Sequence, residues 1–96
     1  MAKSKNLPKV IEELVRQFNL ELAAAHSYLA LSVWCEVRNF KGFARYFVKQ
    51  AGEERMHAEK IIKHLTDRGA TPEVAAVPAP KQDFKTLLEV AQQAQT

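Results

Sequence analysis

Val10, Ile11, Leu14, Val15, Phe18 and Leu22 recur at the spacing of one helical face, and neither Gly nor Pro interrupts the chain from Lys9 to Lys41. This pattern predicts a first helix over residues 7–38, with Asn6 as its cap and Pro8 in its first turn. Arg38-Asn39-Phe40-Lys41-Gly42 reads as a short turn. A second helix is predicted over 42–68, ending where Gly69 supplies a left-handed C-cap. Its expected buried stripe is Phe43, Phe47, Gln50, Glu54, His57, Ile61 and Leu65. Both helices far exceed the average of about 11–12 residues, and such lengths point to a bundle. The periodicity then lapses. Thr71-Pro72 and Val77-Pro78-Ala79-Pro80 mark an extended crossover over 70–82 that can run along a bundle. A short third helix follows over 83–95, with Phe84, Leu87, Leu88 and Ala91 as its apolar face and a weakly patterned, fraying tail from Gln92 to Thr96. The expected fold is all-α: an antiparallel helical hairpin plus a short third helix, in one domain spanning residues 1–96.

Composition narrows the functional classes. With 47% hydrophobic and 26% charged residues the chain has the make-up of a globular helical protein rather than a disordered one. The formal charge of +3 is spread among acidic residues, so no basic block marks a nucleic-acid tail, and no nucleic-acid partner is expected. Cys35 is the only cysteine, which leaves neither a disulfide framework nor a thiolate metal site and favours a reducing, cytoplasmic setting. The first residues lead into no apolar signal segment. The longest uncharged run, Leu22 to Cys35, is 14 residues, too short to span a bilayer. No membrane role is expected, and the run reads as a helix buried on most sides.

Two carboxylates break the apolar stripes. Glu54 and His57, in Glu53-Glu54-Arg55-Met56-His57, are three apart and project from one helical face. Glu21 interrupts the stripe of the first helix. In an antiparallel hairpin that turns near residues 38–41, position 21 pairs with position 57 or 58, about 17 residues or roughly 25 Å from the turn. Glu21 therefore falls level with Glu54 and His57. Carboxylates are costly on an inward face unless compensated, and a metal ion is the usual compensation. Tyr28 lies seven residues beyond Glu21 on the same stripe. His64 and His26 fall too far along, or off, these stripes and read as packing or surface residues.

At these positions the chain resembles the ferritins, in particular the non-haem bacterial type. The resemblance runs through Asn19-Leu20-Glu21, Tyr28 and Trp34-Cys35, the turn Arg38-Asn39-Phe40, and Glu53-Glu54-x-x-His57. It continues through Asp67-Arg68-Gly69-Ala70 and Val77-Pro78-Ala79-Pro80. It implies that Glu21, Glu54 and His57 hold a ferroxidase iron, with Glu54 bridging to a second one and Tyr28 beside the bridge. It also implies a place for Glu53 in the third iron site of some bacterial members. The slot that would hold a haem-ligating Met is Arg55, so no haem is expected. A ferritin has four bundle helices and a short fifth, whereas this sequence stops within the third. One Glu plus one Glu-x-x-His, doubled, gives the ligand count of a ferritin-like di-iron site. Two copies packed about a two-fold axis are therefore expected to complete a ferritin-like four-helix bundle, with two irons per subunit pair.

The implied activity is ferroxidase: Fe(II) is oxidised to Fe(III) by dioxygen, in the service of iron storage or detoxification. Its catalytic residues would be Glu21, Glu54, His57 and Tyr28, and its metal ligands Glu21, Glu54, His57 and Glu53. Oxygen-rich ligand sets with an imidazole also suit Mn(II) or Zn(II). Two readings stand beside this one. A peroxide-reducing di-metal protein would need an external electron donor, since the chain has no cysteine cluster to serve as one. A non-catalytic helical interaction module, or a truncated remnant, would use the basic pI of about 9.2 toward acidic partners.

Overall fold

A computed structural model describes residues 7–95, and within them the chain is all-helical with no strand. The elements are α1 (Leu7–Val37), α2 (Lys41–Asp67) and α3 (Leu87–Ala94). The expected Asn6 cap lies outside the described residues. The molecule is a rod of 58 × 19 × 19 Å, in which α1 and α2 form the antiparallel hairpin and α3 docks on α1. Among the described residues no helix is long and apolar enough to cross a membrane.

The ends of both long helices are written in backbone hydrogen bonds. After α1, Asn39 adopts the left-handed region at φ 67°. Its amide donates to Glu36 O at 3.1 Å, and the Phe40 amide donates to Cys35 O at 2.8 Å. After α2, Gly69 sits at φ 81°, with Gly69 N donating to Thr66 O and Ala70 N to Leu65 O, each at 3.0 Å. These are two copies of the same six-residue stop, one built on Asn and one on Gly. The glycine carries no steric penalty there, and the asparagine carries a small one.

The seam between α1 and α2 is made largely of small residues. Ala25 and Ser32 of α1 face a line of Ala44, Phe47, Ala51, Ala58 and Leu65 on α2, all buried. Ser32 is the one buried polar side chain of the described core; its hydroxyl donates to Ala44 O at 3.0 Å, so it carries no unmet bond. The expected stripe of α2 is therefore only partly its packing line. Phe47 and Leu65 are buried, but Phe43 is 51% exposed, His57 is exposed, and Gln50, Glu54 and Ile61 are half-buried. The reading of Leu22 to Cys35 as buried on most sides fails in the same way, since Leu29 is 45% and Val33 61% exposed. A bundle helix is apolar toward two neighbours at once. The sequence period records both neighbours, and the hairpin fills one.

The crossover is bolted to α1 at two points. Asn19 brackets it, its amide nitrogen donating to Glu73 O at 3.0 Å and its amide oxygen accepting from Ala75 N at 2.9 Å. Further along, Trp34 Nε1 donates to Phe84 O at 2.9 Å. Trp34 also meets the Phe84 ring edge-on at 6.3 Å, stacks on Phe40 at 6.1 Å, and lies under the Arg38 guanidinium at 4.1 Å. Phe84 thus belongs to the main core with Leu31, Trp34, Cys35, Ala44, Phe47 and Val90.

Because Phe84 is held by Trp34, helix formation is delayed, and α3 begins at Leu87 rather than near residue 83. Thr86, in an extended conformation, accepts from Glu89 N through its hydroxyl at 3.2 Å, and the Glu89 carboxylate accepts from Lys85 N at 3.1 Å. This reciprocal cap fixes the start. The expected apolar face of α3 is also rotated: Val90 is wholly buried, Leu87 half-buried, and Leu88 is 67% exposed.

Candidate metal centre

Glu21 stands near the middle of α1, and Glu54 and His57 one turn apart near the middle of α2, so the hairpin register alone brings them level. One ligand atom from each lies within 4.8 Å of the others. His57 Nδ1 is 3.6 Å from a Glu21 carboxylate oxygen and 3.8 Å from one of Glu54. Among the described residues this is the group of three His, Cys, Asp or Glu side chains placed to hold a metal ion. The carboxylates are largely covered, with side chains 15% and 22% exposed for Glu21 and Glu54, while the imidazole is 54% exposed. The cluster is thus a half-site: backed by the hairpin seam and open on the side where His57 faces solvent.

The two carboxylates perturb each other in opposite directions. Hydrogen bonding to Glu54 holds the Glu21 carboxyl below the usual range; burial opposes this, and Gln17 and His57 reinforce it. The same bond to Glu21 pushes the Glu54 carboxyl up, with burial and the Glu21 charge adding to the effect. Adjacent acids that cannot comfortably ionise together behave in this way. A dication placed among the three groups would favour the ionised form of both. Gln17, one turn before Glu21, orients it by donating from Nε2 to Glu21 Oε1 at 2.8 Å. The sequence held a signal for this support in the i, i+4 spacing, but polar pairs at that spacing are common on any exposed helix face.

Tyr28 is half-buried and stacks on Phe47 with ring centroids 6.1 Å apart. Burial raises its phenol above the ordinary value, and the Glu54 charge adds to this. It shares with Glu54 a cavity of about 300 Å³, whose far wall is the last turn of α3 at Gln93, Ala94 and Gln95. Sequence reasoning missed that wall, because the tail shows no period to read. Glu53 is exposed and stands outside the cluster; its charge adds to the upward push on Glu54. His26 and His64 are exposed and stand outside the cluster, and burial raises the thiol of the fully buried Cys35.

Residues 11–95 match the ferritin-like domain family. The chain is 48% identical over 86 residues to a bacterial non-heme ferritin of Staphylococcus aureus, covering 90% of this chain and 50% of that one. To the bacterial non-heme ferritin of Staphylococcus haemolyticus it is 42% identical over 80 residues, 83% of this chain and 48% of that one. The chain spans about half the length of the curated relatives it matches. Its backbone follows an open-pore ferritin of the hyperthermophilic archaeon Archaeoglobus fulgidus with a TM-score of 0.83 at 30% identity, covering 95% of this chain and 54% of that one. A humanized archaeal ferritin gives a TM-score of 0.85 at 26% identity over the same shares. Likeness of this degree, in sequence and in backbone and over nearly the whole chain, means that it belongs to the ferritin family.

Proposed function

We propose that this chain is a ferroxidase whose di-iron site closes between two copies. The observation that carries the reading is the convergence of Glu21, Glu54 and His57 within 4.8 Å on an open face of the hairpin. Three protein ligands are too few for two cations, and a second copy about a two-fold axis supplies three more. In the paired site Glu21 and His57 of each chain bind one Fe(II), and the two Glu54 carboxylates lie between the irons. Glu53 offers a further carboxylate at the rim, where a third iron could be received or released. Tyr28, beside Glu54, is placed to hold a hydrogen bond at the site. Each Fe(II) loses one electron, and dioxygen takes both with two protons. Two Fe(III) and one hydrogen peroxide result. No haem takes part, and the reducing cytoplasm supplies iron in the ferrous form this reaction consumes.

The surface supports an assembly. The chain exposes 7043 Å², against roughly 5,600 Å² for a compact monomer of its mass. An excess on the order of 1,400 Å² goes with the 58 × 19 × 19 Å rod shape of the hairpin. Phe43 and Tyr46, neighbours on one side of α2, are each more than half exposed, and contiguous apolar surface marks sites of association.

The test is native mass with and without Fe(II), read together with the initial rate of ferric absorbance under air. An even number of chains with two irons per pair, and oxidation above the protein-free rate, is expected. A monomer that binds iron and oxidises it would overturn the interfacial site. An assembly that binds iron without accelerating its oxidation would return the chain to a non-catalytic role.

A further inference from the structure

Three side chains form the metal centre, and a fourth reaches into it. Gln17, one turn before Glu21 on α1, donates from Nε2 to Glu21 Oε1 at 2.8 Å. Only the nitrogen end of the amide can meet a carboxylate in this way, so the partner fixes the amide's orientation. The other carboxylate oxygen, Oε2, is the one that approaches His57 Nδ1, at 3.6 Å. The two oxygens of Glu21 thus have different tasks, one toward the protein and one toward the cluster. Glu54 is not divided in this way. Gln50 stands half-buried at the same offset before it, and among the described residues it makes no hydrogen bond to Glu54. A dication favours the ionised form of both carboxyls, so the contact between them then holds neither oxygen.

The geometry points to Gln17 as a positioning residue: by occupying Oε1 it keeps Glu21 a one-oxygen ligand and leaves the bridging role to Glu54, which has both oxygens to give. This deepens the reading above and rests on its assignment of Glu21, Glu54 and His57 as ligands. Glu21 and Glu54 are otherwise alike, two largely covered carboxylates on facing helices. A carboxylate can bind through one oxygen, chelate one cation with both, or join two cations. A hydrogen bond to one oxygen draws charge from it and fixes the carboxylate plane, so a cation gains more at the other. The net worth of such a bond corresponds to roughly five- to tenfold in an equilibrium. The direction of the pull agrees. Gln17 lies one turn, roughly 6 Å, farther from the hairpin turn than Glu21, whereas Glu54 lies nearer to that turn than His57. The bond therefore draws Oε1 along α1 away from Glu54. Hydrogen-bonding partners of metal ligands commonly orient them in this way.

Gln17 is exposed, so it can be replaced without disturbing the packing of the hairpin. Gln17→Met keeps the length and removes the donor; Gln17→Lys restores a donor at similar reach. The probe is Zn(II) alone, added to the full chain, and the readout is the infrared difference between zinc-loaded and metal-free protein. Zinc has no redox chemistry, so the readout is independent of iron oxidation. The antisymmetric and symmetric carboxylate stretches lie farthest apart when one oxygen binds, and closer together when the group chelates or bridges. Wild type should show a widely split pair that disappears in Glu21→Gln. In Gln17→Met the balance should move roughly five- to tenfold toward the closely split form, and Gln17→Lys should bring the wide pair back. Circular dichroism of all variants should match wild type, since a role confined to helix stability would move helix content and not the carboxylate bands. If Gln17→Met keeps the wild-type bands, if Gln17→Lys fails to restore them, or if the wide pair survives Glu21→Gln, the positioning role is overturned and the metal centre stands. If Zn(II) leaves the carboxylate bands of wild type unchanged, the ligand assignment itself falls, and the positioning role with it.

Discussion

Replacing Glu54 with glutamine separates what this residue does for iron from what it costs the metal-free protein. Glutamine keeps the shape and can still donate to Glu21, as a protonated Glu54 does, but it cannot ionise. In the wild type at neutral pH the two carboxylates lie no more than 4.8 Å apart across the cluster. Two full charges at that distance repel by about 3.5 kcal/mol at an effective dielectric of 20. Glu54 is 22% exposed, and water screens part of that interaction, leaving about 1 kcal/mol as the expected gain on substitution. For a chain of this size such a gain raises Tm by roughly 4–8 °C. The same change removes the carboxylate proposed to lie between the irons. Oxidation of Fe(II) should then drop to the rate in protein-free buffer.

The assay is thermal unfolding in chelator at pH 7 with the chain concentrations of wild type and Glu54→Gln matched, since association also shifts Tm. It is paired with the initial rate of ferric absorbance. The pH dependence adds a sign. The raised Glu54 carboxyl contributes stability that is present below its unfolded value, near 4.5, and lost as pH rises through its folded value. The lowered Glu21 carboxyl contributes stability present above 4.5 and lost as pH falls through its folded value. Metal-free wild type should therefore be most stable in mild acid and weaken on both sides, and Glu54→Gln should lose the alkaline limb only. A variant that is less stable than wild type at pH 7, or that oxidises iron at the wild-type initial rate, refutes the reasoning.

Glu53→Ala should keep most of the initial oxidation rate, because its side chain is turned about 100° from Glu54 around α2; a loss equal to that of Glu54→Gln in stopped-flow oxidation would count against the ligand assignment. Gly69→Ala should cost about 1 kcal/mol in urea unfolding, since φ 81° is strained for any residue with a Cβ. Asn39→Gly should stabilise by up to about 1 kcal/mol or be neutral, because it relieves φ 67° while loosening the unfolded chain. Trp34→Phe removes the donor to Phe84 O and should cost about 1–2 kcal/mol, with faster hydrogen exchange through the crossover.

The hairpin and the level placement of Glu21, Glu54 and His57 were legible because both follow from counting. A helical period, a turn position and a fixed rise per residue leave little freedom in the register. What the sequence misplaced has a different cause. The periodicity points to Leu88 where the structure anchors α3 on Val90, because a face must be read from very few turns in so short a helix. The start of α3 was placed too early because Phe84 looks like the first apolar helical position, and only its tertiary bond to Trp34 assigns it elsewhere. The pair Thr86 and Glu89 held the correct signal, a capping box at the right offset. Phe43 was expected in the core and is half exposed because a period cannot say which of two bundle neighbours is present.

That last ambiguity bears on function as well as fold. The residues that packing leaves half-covered on the site face of α2 are Gln50, Glu54 and Ile61, with Phe43 and His57 more exposed still. Along its seam, by contrast, α2 places the small residues Ala44, Ala51 and Ala58. The site face instead combines apolar side chains, which want a covering helix, with Glu54, whose carboxylate lies within 4.8 Å of that of Glu21 on α1. Neither feature stabilises the isolated chain. In the proposed pair both would be resolved by the same event, the arrival of an iron-bearing partner surface. The free energy withheld from the fold of the single chain is therefore available for assembly and for binding iron.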